Sequence, residues 1–121
     1  MLDLSKFTQI YFYGGQVDFM RSIDGLSALV MDAIKQDLYG ANLFLFLSRD
    51  KRKVKILYWD ETGFALWYKR LEKDRFPAEK KRPDHTITLK REQLEWFLSG
   101  IDLWRIKKHA PVIIEPMNSP L

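Results

Sequence analysis

The chain has 121 residues, enough for one domain of the usual 100–150 residues or so and not for two. Lys and Arg number 20 against 16 Asp and Glu, a formal net charge of +4, and aromatic residues make up 14%. These values exclude a histone-like polycation and a disordered polar chain, and the absence of cysteine excludes disulfides, thiolate nucleophiles and Cys-based metal sites.

A single domain over residues 1–121 is expected, with a frayed tail from about residue 116 to 121. The opening MLDLSKFTQI lacks the basic and apolar regions of a secretory leader, and no apolar run approaches the roughly 20 residues that cross a bilayer. A soluble, cytoplasmic protein without a membrane partner is expected.

Residues Phe7 to Tyr13 (FTQIYFY) are β-branched and aromatic and stop at Gly14-Gly15, which predicts a strand. From Leu26, apolar residues recur at Leu29, Val30, Ala33 and Ile34, the spacing of a helix with one buried stripe. Ser22 or Asp24 is placed to cap it, and Gly40 with Asn42 marks its exit, so a helix over about 25–38 is predicted. Two polar turns, Arg49 to Lys53 and Asp60 to Gly63, then divide LFLFLS (43–48), VKILYW (54–59) and FALWYK (64–69). Three such pieces predict an antiparallel meander, with Gly63 supplying a position that tolerates positive φ. Pro77 to Asp84 reads as a loop, and Leu94, Phe97, Leu98 and Ile101 at helical spacing, with Gly100 as a stop, predict a second helix over about 90–99. The fold class is therefore α+β, three to five short strands in an antiparallel meander packed with two helices.

The strands do not alternate cleanly. Val54, Ile56 and Tyr58 share one face while Leu57 and Trp59 occupy the other, so both faces of the sheet are apolar. The second face is either covered by the C-terminal part of the chain or used for contact.

Charge is unevenly distributed. From Arg49 to Arg91 there are 14 Lys or Arg and 7 Asp or Glu, a local +7 between slightly acidic flanks. Arg49, Lys51, Arg52, Lys53 and Lys55 surround one hairpin turn, and Lys69, Arg70, Lys73 and Arg75 follow the third strand. In a meander both clusters lie at the same end of the sheet. Together with Trp59 and Trp67, and beside Tyr58 and Tyr68, they form a candidate nucleic-acid rim, cations for the backbone and rings for bases. The competing reading makes the rings core and the charges a solvated edge that discourages strand pairing, with Arg70 and Glu72 a surface ion pair.

Other candidates are weaker. Asp60 sits in a turn where an Asx-type bond accounts for it, and Asp18 or Asp24 reads as a helix cap rather than a carboxylate for divalent ions. His85 and His109 have no partner at ligand spacing, and no phosphate-binding loop or nucleophile elbow is present, so no catalytic residue, metal or cofactor is expected.

VDFMRSIDGLSALV (17–30), LFLFLSRDKRKVKILYWDETGFALWYKRLEKDRF (43–76) and QLEWFLSGIDL (93–103) resemble the second-reading-frame, TnpB-type accessory protein of the sixty-six family of insertion sequences. The similarity covers roughly residues 10–104, with two departures: the opening arginine is displaced to Arg21, and Asp74 stands where the family has Gly before Arg-Phe. The resemblance implies an accessory protein of transposition, with the transposase and other proteins of the same element as partners, and implies no known chemical activity; a non-enzymatic protein is expected. Three functions follow as expectations: an accessory factor that binds element DNA through the rim, an adaptor that docks the transposase or a second copy of the chain through the apolar face, Trp96, Trp104 and Val112 to Ile114, or, last, a metal-dependent nuclease.

Overall fold

Residues 42–70 alternate long apolar runs with two polar turns, and in the computed structural model, which describes residues 2–15, 17–77 and 86–101, they form three antiparallel strands. In chain order the strands are β1 (Gln9–Phe12), β2 (Asn42–Leu47), β3 (Lys53–Asp60), β4 (Gly63–Arg70) and β5 (Ile87–Leu89). The helices are α1 (Ile23–Leu29), which continues as a π-helical turn over Val30–Ile34, and α2 (Arg91–Leu98). A 3-10 turn at Leu4–Lys6 precedes β1.

The sheet order is β4-β3-β2-β1-β5. The predicted meander is β2-β3-β4, with Leu47 opposite Val54 and Lys53 opposite Arg70. β1 lies parallel to β2, Gln9 opposite Asn42, because α1 carries the chain back across the sheet between them. The parallel β1–β2 pair makes the sheet mixed where a purely antiparallel meander was expected, and β5, which the sequence did not announce, pairs antiparallel with β1.

Both faces of the sheet are covered, one by each helix. Ile10, Phe12, Leu43, Leu45, Leu47, Val54 and Ile56 face Leu94 and Phe97 of α2. Phe44, Phe46 and Leu57 face Leu26, Val30 and Ile34. Burial of each such side chain contributes about 1.5–3 kcal/mol. The apolar second face is thus packed by α1 within the chain.

Element ends have local causes. α1 has Ser22 at its N-cap position and Asp24 in its first turn, although Ser22 makes no capping bond through its side chain. The helical segment stops at Ile34, short of the expected 38, where Lys35 turns left-handed at φ 58° and donates to the Val30 carbonyl at 2.7 Å. Leu38, beyond the helix, still reaches the second cluster. α2 begins with the Lys90 N–H donating to Gln93 Oε1 at 2.7 Å. It ends on Gly100 at φ 87°, where the N–H groups of Gly100 and Ile101 donate to the Phe97 and Trp96 carbonyls.

Candidate nucleic-acid interface

The turn between β2 and β3 is shaped by a serine and an aspartate. Ser48, 4% exposed, donates from Oγ to Asp50 Oδ1 at 2.6 Å, and the same oxygen takes the Arg52 N–H at 3.0 Å. Lys53 N–H donates to Ser48 Oγ at 3.0 Å, and Ser48 N–H to the Lys53 carbonyl at 2.9 Å. The Ser48 hydroxyl, and after it the Arg52 amide, hold the Asp50 carboxyl below its ordinary range. Lys51 takes the left-handed position at φ 63°.

A second segment is sewn to this turn. The N–H of Leu71 donates to the Arg52 carbonyl at 2.8 Å, and that of Phe76 to the Lys51 carbonyl at 2.7 Å. Phe76 is buried and stacks on Phe97, centroids 5.2 Å apart and planes within 8°. This backbone stitching sets residues 71–76, and with them Lys73 and Arg75, alongside Lys51 and Arg52. Arg49, Lys73 and Arg75 are exposed, and Lys51, Arg52 and Lys53 are half-buried. Among the described residues none of these six side chains makes a hydrogen bond or ion pair, so six cations are left for solvent or a ligand.

Three other predicted cations are engaged. Lys55 Nζ donates to the carbonyls of Phe19 at 2.6 Å and Arg21 at 3.0 Å, and lies 4.8 Å from the Phe19 ring centroid. Burial lowers its pKa, against the attraction of Asp18. Arg70 pairs with Glu72 at 2.9 Å, the surface ion pair that the sequence suggested, and Lys69 Nζ reaches the Leu98 carbonyl at 3.4 Å.

The predicted aromatics are divided. Trp59 sits at the opposite end of β3 from the basic turn, edge-on to Tyr39 and Phe64 at 5.1 and 5.0 Å. Tyr58 and Trp67 pack half-buried against the α2-side cluster, and Tyr68 is 48% exposed. A ring that borders the basic turn and was not predicted is Phe19. It lines a cleft of about 620 Å³ with Asp18, Ser48, Arg49 and Lys53. Sequence reasoning passed over it because nothing in VDFM signals that the segment folds back over Lys55.

Asp18 and Asp60 lie near opposite ends of β3. Asp18 Oδ1 takes the Met20 N–H at 3.0 Å, a local turn rather than a helix cap. In the second hairpin the Thr62 N–H donates to the backbone carbonyl of Asp60, so the expected Asx bond is replaced by a main-chain one. Among the described residues no three His, Asp or Glu gather in a way that could hold a metal ion. None of their helices is long and apolar enough to cross a membrane. Trp96 is half-buried on α2, while His85, His109, Trp104, Val112 to Ile114, most of the 77–84 loop and the 116–121 tail lie outside the described residues.

A family model described as IS66 Orf2 like protein matches residues 8–108. The chain belongs to the IS66 Orf2-like family. Its match takes in β1 through α2, and with them the basic turn and the cleft. Two relatives from Sinorhizobium fredii, both called uncharacterized proteins, are similar to it. y4jC is 33% identical over 94 residues, covering 76% of this chain and 78% of the relative. y4hO is 30% identical over 105 residues, covering 87% and 90%. No solved structure matches. IS66 Orf2-like proteins are accessory proteins of insertion sequences, which associates this chain with the transposition machinery of such an element.

Proposed function

We propose that the chain is a non-catalytic accessory factor of insertion-sequence transposition that binds element DNA through phosphate contacts from Arg49, Lys51, Arg52, Lys53, Lys73 and Arg75. The observation that carries this reading is the stitching of residues 71–76 to the 48–53 turn, which gathers six uncommitted cations on one rim. Cations set side by side by main-chain hydrogen bonds and left without partners among the described residues supply the sequence-independent part of DNA binding. Lys55 and Arg70 shape the rim rather than enlarge it, and Trp59 and Trp67 lie apart from it. The transposase is the protein partner in this reading, and association with it or with a second copy of the chain follows DNA capture.

Fluorescence anisotropy with labelled terminal-repeat duplex tests the proposal. Binding at low salt should weaken steeply as salt is added, with a log–log slope approaching about −5 if all six cations neutralise phosphates. The combined Lys51→Glu, Arg52→Glu and Lys53→Glu protein should lose about half of that slope and most of the affinity. No binding at low salt would sink the rim, and a salt-insensitive complex with the transposase would favour the adaptor reading.

A further inference from the structure

The cleft beside the rim has a composition that phosphate binding alone does not use. One wall is the 48–53 turn with Arg49 and Lys53, and the other is the 17–19 segment with Phe19. Its volume of about 620 Å³ lies within the range of about 300–1,000 Å³ that small ligands occupy. Phe19 is held in place before any ligand arrives. Lys55 fixes the segment through the Phe19 and Arg21 carbonyls and lies over the ring, and the Tyr68 ring lies 6.4 Å away at 48°.

Phosphate, ring and acid each have a place here. Arg49 and Lys53 belong to both the rim and the cleft, so a backbone running along the rim passes its mouth. The carboxylates of Asp18 and Asp50 disfavour a phosphate inside and are acceptors for exocyclic amino groups. A base offers its face to Phe19 only when it is unstacked from its neighbours, which a duplex does not permit without distortion. We propose that this cleft takes an unpaired nucleotide of single-stranded DNA, its phosphate on Arg49 and Lys53 and its base against Phe19. This rests on the rim reading and deepens it: the rim holds any DNA, and the cleft selects the unpaired strand.

The test compares a short mixed-sequence single strand with its duplex by anisotropy at one salt concentration, for the wild-type chain and for Phe19→Leu. The wild type should prefer the single strand, and Phe19→Leu should weaken single-strand binding about tenfold while leaving the duplex within about twofold. Because Phe19 also packs against the α1-side cluster, the variant's thermal midpoint is measured in parallel, and a bromouracil-substituted strand is photocrosslinked to the wild type as a second readout. Crosslinks within residues 17–21 support the cleft. Equal wild-type affinity for both DNAs, or crosslinks confined elsewhere, overturns it. If in that case the charge-reversed rim protein has lost both DNAs, the rim stands and only the cleft falls. If the wild type binds neither DNA, the rim itself has failed.

Discussion

Lys55 reaches across from β3 and donates its ammonium to the main-chain carbonyl of Phe19, 2.6 Å away. A residue that sequence placed among DNA contacts is thereby a strut between the sheet and the 17–21 segment. Lys55→Met keeps most of the stem but leaves two carbonyls without their donor, and partial exposure to water tempers the loss. Urea unfolding should show a stability decrease of about 1 kcal/mol. The salt slope for duplex DNA should be unchanged; a slope smaller by about 1 would return Lys55 to the phosphate contacts.

The basic turn contains a carboxyl whose titration is coupled to its hydrogen bonds. Asp50 has a folded pKa below its ordinary value of 3.8, through the Ser48 hydroxyl first and the Arg52 N–H second. A carboxyl depressed by folding contributes stability that is complete above the unfolded pKa and is lost as pH falls through the folded one. The turn should therefore loosen only below about pH 4, and neutral conditions leave it intact. Asp3, depressed by Ser5, acts in the same window. Asp50→Asn should accordingly remove part, not all, of the acid limb in a pH series of unfolding midpoints, and an unaltered limb would contradict the assignment.

The β3-β4 hairpin turns on the wrong residue for its chemistry. Glu61, not Gly63, holds the positive φ, at 51°, and a β-carbon at Gly63 would meet nothing within 4 Å. Side chains other than glycine and asparagine are strained in that region by about 1 kcal/mol. Glu61→Gly should raise stability by about 0.5–1 kcal/mol, while Gly63→Ala should be close to neutral. A destabilised Glu61→Gly protein in thermal unfolding would contradict this account.

Much of the sheet was readable because its information is local. Two polar turns between apolar runs dictated β2-β3-β4, and the pairing of Lys53 with Arg70 put the two basic clusters at one end as the meander required. Gly100 ended the second helix where expected. The rest depends on contacts distant in sequence. Nothing in QIYF distinguishes an edge strand from one inserted between β2 and β5, because both faces of the sheet are apolar. Likewise, nothing local in LEKDRF signals that Phe76 stacks on Phe97 and donates its N–H to the Lys51 carbonyl, contacts that hold Lys73 and Arg75 beside the rim. The two engaged lysines show the same limit: Lys55 is satisfied by the Phe19 and Arg21 carbonyls, more than thirty positions earlier in the chain, and Lys69 reaches the Leu98 carbonyl, 29 positions later.

The pairing of Ile10 with Leu89 joins nearly the first and last described segments of the chain. It sets an order on assembly during synthesis. The β2-β3-β4 hairpins and the α1 side of the sheet need nothing beyond β4, so they are complete in the growing chain while the opposite face still waits for Leu89, Leu94 and Phe97. A nascent protein therefore presents a half-covered sheet until α2 emerges. Chains cut short before α2 would keep the basic turn and yet expose the row from Ile10 to Ile56, which makes truncated copies prone to aggregate rather than to act as small competitors for DNA.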